Sequence, residues 1–188
     1  MNEADEPAWL TRLEHDHQVI HQQLAVLSEA LRQCEHNPDS LSLHATLGRV
    51  TRFFQYDLPW HIRLEEEALF PAVIPVLGQT QGPLVAIRME HQQLPQIVTA
   101  WAQAWEQFTE APMQVRLLAL QEAARRLQEV LEVHIHKEEQ VLFVLLRKLL
   151  KPQDWGGIQE RAQALVGRWE KSGTNLPMEV WEFQERWR

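Results

Sequence analysis

The sequence has few of the residues that interrupt helices and almost none that cross-link a chain. Its 188 residues include only seven glycines and one tyrosine, beside many leucines, alanines, glutamines, glutamates and arginines. These abundant residues have high helix propensity, so the composition favours an all-α fold. The single cysteine, Cys34, excludes a disulfide within the chain and a metal site built from thiols alone, and it fits a reducing compartment.

Positive charge is also scarce, and the formal net charge is −8. A nucleic-acid or anionic-membrane surface needs an excess of basic residues, so we expect neither kind of partner. The first ten residues, MNEADEPAWL, carry acids where a secretion signal would carry basic residues and an apolar run. No apolar stretch approaches the length that spans a membrane. We therefore expect a soluble, cytoplasmic protein.

Apolar residues recur at alternating three- and four-residue steps in four long stretches, which is the spacing of one helix face. The stretches begin near residues 9, 47, 83 and 112, and short turns containing proline or glycine separate them. Four amphipathic helices with short connections predict an antiparallel up-down-up-down four-helix bundle. A coiled-coil dimer is the alternative, but the short turns favour packing within one chain.

The stretches also suggest how the chain is divided. We assign residues 1–152 to the bundle and residues 153–188 to a C-terminal extension with a short helix around 159–170. Three aromatic residues near the end, Trp181, Phe183 and Trp187, are expected to pack on the bundle. A homodimer contact is the alternative use of the same apolar surface.

Each of the four apolar stripes contains a histidine, and two also contain a glutamate one turn later. The six residues are His17, His61, Glu65, His91, His134 and Glu138. Two unpaired carboxylates in a bundle core would each cost roughly several kcal/mol, so something must compensate for them. Side chains at i and i+4 lie on one helix face, so each His-x-x-x-Glu pair can converge on one point. Imidazole and carboxylate are ligands that iron, manganese and zinc accept.

The spacing of the histidines supports a metal site. His17 and His61 are 44 residues apart, and His91 and His134 are 43 residues apart, so the chain approximates a repeat of two helix pairs. Two halves related by a pseudo-twofold axis would hold two metals bridged by Glu65 and Glu138, with positions left open. One histidine on an apolar face is usually a hydrogen-bonded core residue. Four of them with two glutamates at matching offsets favour metal binding.

Other titratable residues lie near these motifs. His15 and His136 each lie two residues from a candidate ligand, about 200° around a helix, so we expect them to face outward. His21 follows His17 by one turn, and its use as an extra ligand is the less favoured alternative. Three further acids are expected to face solvent or to orient the ligand histidines, namely Glu66, Glu67 and Glu139.

Taken together, the motifs DHQVI, HIRLEEEALFP, MEHQQL and HIHKEEQVLF resemble the hemerythrin-like, or HHE cation-binding, family over residues 9–150. The resemblance implies a four-helix bundle around a non-haem centre of two iron ions with carboxylate and oxo or hydroxo bridges. It also implies that the protein binds or reacts with oxygen, peroxide or nitric oxide.

Two departures from the oxygen-carrying hemerythrins refine this expectation. Those proteins have a second histidine four residues after the third-helix ligand, where this chain has Pro95, and an aspartate where it has Glu139. The four-His, two-Glu set is more similar to bacterial proteins that repair iron-sulfur centres after oxidative or nitrosative stress. Whether the protein turns over a substrate is left open. The alternative function is a helical interaction or regulatory module in which the metal is structural or absent.

Overall fold

The structure, a computed structural model, describes residues 8–78 and 82–171. Within these residues all regular elements are helical and no strand occurs, which confirms the all-α prediction. The elements are α1 (Ala8–Cys34), α2 (Leu41–Leu64), α3 (Phe70–Leu77), α4 (Pro83–Glu110), α5 (Gln114–Lys137), α6 (Phe143–Leu149) and α7 (Pro152–Lys171). Two π-helical turns continue the chain without a break, from α2 to α3 at Glu65–Leu69 and from α5 to α6 at Glu138–Leu142.

Two glycines with positive φ mark the connection between α3 and α4. Gly78 (φ +83°) ends α3, and its N–H donates to the carbonyl oxygen of Ile74 at 2.9 Å. Gly82 (φ +86°) precedes α4, whose first residue is Pro83. Only glycine adopts such φ values readily, and a proline at the first helical position loses no helical hydrogen bond. The turn chemistry therefore sets these two boundaries.

The four long helices pack as a ring of neighbours. Helix α1 contacts α2, α2 contacts α4, α4 contacts α5, and α5 contacts α1. This arrangement is compatible with the predicted four-helix bundle. None of the described helices is both long enough and apolar enough to cross a membrane.

The apolar core consists of two clusters, and the histidine of each long helix lies where one cluster gives way to the other. In α1, Leu13 belongs to the first cluster and Ile20 to the second, with His17 between them in sequence. In α4, Ile87 and Leu94 flank His91 in the same way. The polar residues predicted as ligands thus form a buried layer between two apolar regions.

The π-turns shift the buried face of the residues that follow them. The periodicity predicts that Val141 and Leu149 continue the apolar stripe of the fourth helix, but both are exposed, and the buried residues are Leu142, Phe143 and Leu146. A π-turn hydrogen-bonds from i to i+5, so it adds one residue to the turn and rotates the rest of the helix. The prediction of this register was wrong because it assumed a regular α-helix.

The C-terminal helix α7 is longer than the sequence predicted. It starts at Pro152 and continues through Gly156 and Gly157, whereas the prediction began around residue 159. Four of its apolar side chains are buried in the first cluster, namely Ile158, Ala162, Leu165 and Val166. The division at residue 152 stays a prediction. The predicted contacts of Trp181, Phe183 and Trp187 lie outside the described residues.

Candidate metal centre

The structure brings all six predicted site residues together in the buried layer. Their ligand atoms form two groups within which all atoms lie within 4.8 Å of one another. The first group contains His17, His61, Glu65 and Glu138, and the second contains Glu65, His91, His134 and Glu138. Each group therefore has two imidazoles, and both groups share the two glutamates. That is the arrangement predicted from the repeat, although the role of the six as metal ligands stays a prediction.

The imidazoles turn the same ring nitrogen, Nε2, towards the shared carboxylates. Glu138 lies 3.2 Å from Nε2 of His17 and 3.4 Å from Nε2 of His134. Glu65 lies 3.3 Å from Nε2 of His91 and 3.6 Å from Nε2 of His61. The Nε2 atoms of His91 and His134 are themselves 3.2 Å apart. Lone pairs that converge in this way are suited to a shared cation.

Several polar atoms at the centre have no hydrogen-bond partner among the described residues. They are Nε2 of His17, Nε2 of His61 and both carboxylate oxygens of Glu65 and of Glu138. A buried polar atom without a partner costs about 1–3 kcal/mol, so six of them in one place call for a ligand. Metal ions would satisfy all six, and nitrogen and oxygen donors of this kind suit iron, manganese or zinc. The residues therefore fit two metal ions.

Each of the four imidazoles also has a carboxylate on its other ring nitrogen, Nδ1. The partners are Glu139 for His17 at 3.0 Å, Glu66 for His91 at 3.0 Å, Glu90 for His134 at 3.1 Å, and Asp16 for His61 at 3.5 Å. When Nδ1–H donates to a carboxylate, Nε2 is left with its lone pair free. Such partners orient a ligand histidine and make it a stronger donor.

These outer carboxylates repeat at the same offsets in the two halves of the chain. Glu66 and Glu139 each directly follow one of the two shared glutamates. Asp16 and Glu90 directly precede His17 and His91, the histidines on the first long helix of each half. For Glu66 and Glu139 the structure favours the orienting role over the solvent-facing one. Sequence reasoning missed Asp16 and Glu90. A signal for them exists, because the sequences Asp-His-Gln and Glu-His-Gln begin at these two positions.

The π-turns arrange the residues around the shared glutamates. The N–H of Phe70 donates to the carbonyl oxygen of Glu65, which is the i to i+5 bond of the first π-turn. The ring of Phe70 stacks on His91, with centroids 5.7 Å apart and planes 8° apart. The second π-turn repeats this pattern with Phe143 stacked on His17 at 5.5 Å and 6°. π-turns are frequent at functional sites, and here each one presents a shared glutamate, an orienting carboxylate and a ring against a histidine.

The carboxylates of the centre favour positive charge on the histidines that they contact. Burial by itself lowers the pKa of His17, but its contacts with Glu138 and Glu139 outweigh this effect and raise that pKa to about 10. His91 behaves in the same way beside Glu138, Glu65 and Glu66, and its pKa is raised to about 11. Burial tends to raise the pKa of Glu138, yet the surrounding histidines hold it well below its usual value. Metal cations would supply the positive charge that protons supply otherwise.

The remaining titratable candidates lie outside the centre. His15 and His136 are exposed, as predicted, and His21 is also exposed and belongs to neither group. Glu67 is exposed and pairs with Arg63 at 2.6 Å, so it faces solvent.

A family model described as hemerythrin HHE cation binding domain matches residues 10–146. The match includes all six buried site residues and both π-turns, and it ends before α7. Neither a curated protein nor a solved structure matches the chain.

Proposed function

The chain belongs to the hemerythrin HHE cation-binding family, and on that premise we propose that it holds two iron ions and binds or reacts with oxygen, peroxide or nitric oxide. The observation that carries this proposal is the pair of buried His/Glu groups that share both glutamates. The two imidazoles of each group, together with Glu65 and Glu138, would hold the two ions. Iron in such a centre supplies one-electron redox chemistry and positions for a small ligand.

The chain's own residues have separate tasks in this proposal. The two apolar clusters keep bulk water away from the ions, which strengthens electrostatic interactions inside the layer. The outer carboxylates hold the proton on Nδ1 of each histidine. Glu90 also contacts the Lys137 ammonium, and Glu66 lies 3.3 Å from Arg88, so these two orienting carboxylates are themselves held in place.

We also propose that the four long helices are antiparallel. Support comes from side-chain contacts that α1 and the residue after it make with the continuous helix α5–α6, in which residue numbers rise along one helix as they fall along the other. The pairs are Glu14 with Arg147, Ser28 with Gln128, and Glu35 with Gln121.

The proposed physiological role is in the response to oxidative or nitrosative stress, or in iron-centre repair, within the cytoplasm. Support comes from the position four residues after His91, where the side chain is that of the exposed Pro95 and supplies no additional imidazole. A centre with fewer histidines has room for a small oxidant. An enzymatic turnover is not part of the proposal.

The metal is tested by reconstituting the metal-free protein with ferrous iron under anaerobic conditions and measuring the iron content. We expect about two ions per chain. Glu138→Ala should lose most of this iron because it removes a ligand shared by both groups, whereas His136→Ala removes an exposed side chain and should retain it. Equal iron in the wild type and both variants would contradict the assignment, and no iron in the wild type would favour the interaction-module alternative.

The reactivity is tested by stopped-flow spectroscopy of the iron-loaded protein. In air we expect the ferrous ions to be oxidised, and the resulting spectral change should not be reversed under vacuum. Nitric oxide added without air should also change the spectrum. A change in air that vacuum reverses completely would indicate an oxygen carrier instead.

A further inference from the structure

Helix α7 packs against one half of the centre. Its contacts concentrate on the first π-turn and on α3, whereas the second π-turn is contacted by α4, α5 and α6. Its buried side chains Ile158, Ala162 and Leu165 join the first apolar cluster, to which both π-turns contribute, so the asymmetry lies in the contacts of α7 with the first π-turn and α3. The family match ends at residue 146, so α7 lies outside it, and the contact of α7 with the first π-turn makes the two halves of the centre unequal.

A polar contact accompanies this packing and reaches the main chain of the first π-turn. Nε of Arg161 donates to the carbonyl oxygen of Ala68 at 2.9 Å in a partly buried setting. Gly157, one turn earlier on α7, leaves room for the guanidinium, since a Cβ there would lie 3.3 Å from Nη1 of Arg161. A charge-assisted bond to a main-chain carbonyl restrains the backbone itself, which an ion pair between two flexible side chains does not.

The restrained turn carries two determinants of the centre. Glu65, three residues before Ala68, belongs to both groups, and Glu66 accepts the Nδ1 hydrogen bond of His91. The second group therefore depends on this turn twice, through Glu65 directly and through the orientation of His91. The first group depends on it only through Glu65, because its histidines are oriented by Asp16 and Glu139.

We propose that α7 positions the metal centre and that Arg161 is its positioning residue, holding the first π-turn so that Glu65 and Glu66 keep their places. The inference rests on the proposed metal binding. It predicts that the two metal positions are unequal, and that the ion held by the second group depends more strongly on α7.

The test is a titration of the metal-free protein, residues 1–188, with Co²⁺. Bound Co²⁺ has a visible spectrum, and the experiment does not require the exclusion of air. Competition with a chelator gives the affinity of each binding step. In Arg161→Met one of the two steps should weaken about tenfold, the lower end of the usual effect of an outer partner on a metal site, and its spectrum should change. Arg161→Lys keeps a cationic donor and should restore much of the affinity. Arg168→Met is the matched control, because Arg168 lies on the same helix, is 63% exposed and pairs with the side chain of Glu67 instead of a main-chain carbonyl.

The outcomes separate this inference from the proposal on which it rests. If the wild type and Arg161→Met bind two ions with superimposable titration curves, the role of α7 is overturned while the proposal of a two-metal site stands. Equal weakening of both steps, together with a lower melting temperature of the metal-free variant, would mean that Arg161 only stabilises the fold, which also overturns the inference. A wild type that binds no Co²⁺ would overturn both.

Discussion

Replacing Glu65 by glutamine tests whether this buried carboxylate serves metal or the fold. The change removes a negative charge from a residue shared by both groups and keeps the side chain nearly the same size. A ligand at a hundred times its Kd stabilises a protein by about 2.7 kcal/mol, so two such ions contribute about 5 kcal/mol. For a chain of this length 1 kcal/mol shifts the melting temperature by about 2–4 °C. Iron should therefore raise the wild-type melting temperature by about 10–20 °C.

In Glu65→Gln we expect this metal-dependent rise to fall to less than half, because a neutral amide is a weaker ligand for both ions. Without metal the variant should melt within about 4 °C of the wild type, because a neutral amide costs less to bury than a carboxylate and can still hydrogen-bond to His91, whose Nε2 lies 3.3 Å from Glu65. Calorimetry with and without ferrous iron under anaerobic conditions gives both numbers.

Glu67→Gln is the control for this experiment, because it makes the same chemical change in the same π-turn. Glu67 is 41% exposed and pairs with Arg63, and exposed pairs of this kind contribute about 0–1 kcal/mol. The control should keep the full metal-dependent rise. The reasoning is refuted if Glu65→Gln keeps the whole rise, or if it loses most of its stability in the metal-free state, since the carboxylate would then be structural.

Three further predictions test the register, the orienting carboxylates and the lone thiol. Leu142→Ala should lower the free energy of unfolding by about 2–5 kcal/mol because the side chain is fully buried, whereas Val141→Ala should change it by no more than about 0.5 kcal/mol because Val141 is 42% exposed. Urea denaturation measures both values, and the reverse order would contradict the π-turn register. Glu90→Gln should weaken metal binding about 10–100-fold in a chelator competition by loosening its histidine partner, whereas Glu129→Gln, on an exposed pair, should leave it unchanged. Burial raises the pKa of the Cys34 thiol, so the folded protein should resist thiol reagents at neutral pH and react only as it unfolds; rapid labelling of the folded state would place this cysteine at the surface.

Much of the fold and the centre could be predicted because the relevant signals are local and periodic. The apolar stripe of α1 is buried along the whole length that the spacing predicted, from Leu10 to Leu31, and that of α4 is buried from Leu84 to Phe108 except at Trp105, which is partly buried. A histidine that replaces an apolar residue on such a stripe must point into the core, whichever helix lies opposite. The i+4 glutamates follow from the same geometry. These residues could therefore be placed together without knowledge of the helix order.

The partners of the outer nitrogen atoms could not be predicted in the same way. Asp16 meets His61 on α2, and Glu90 meets His134 on α5, so each contact joins two helices. Such a contact depends on which helices are neighbours and on how far they are shifted along their axes relative to each other. The periodicity of a single helix carries no information on either. The signal in Asp-His-Gln and Glu-His-Gln is readable only once the tertiary contact is known.

The sequence by itself determined that the chain is helical, which faces are buried before each shared glutamate, and that four histidines and two glutamates lie on those faces. Each of these follows from propensity and from the 3.6-residue period of one helix. Only the tertiary structure decided the two π-turns, the burial of Leu142 in place of Val141, and the contact of Arg161 with the turn that carries Glu65. The physical reason is that a π-turn widens a helix so that a glutamate, its following carboxylate and a phenylalanine all meet groups on other helices, and those contacts exist only when the helices are packed.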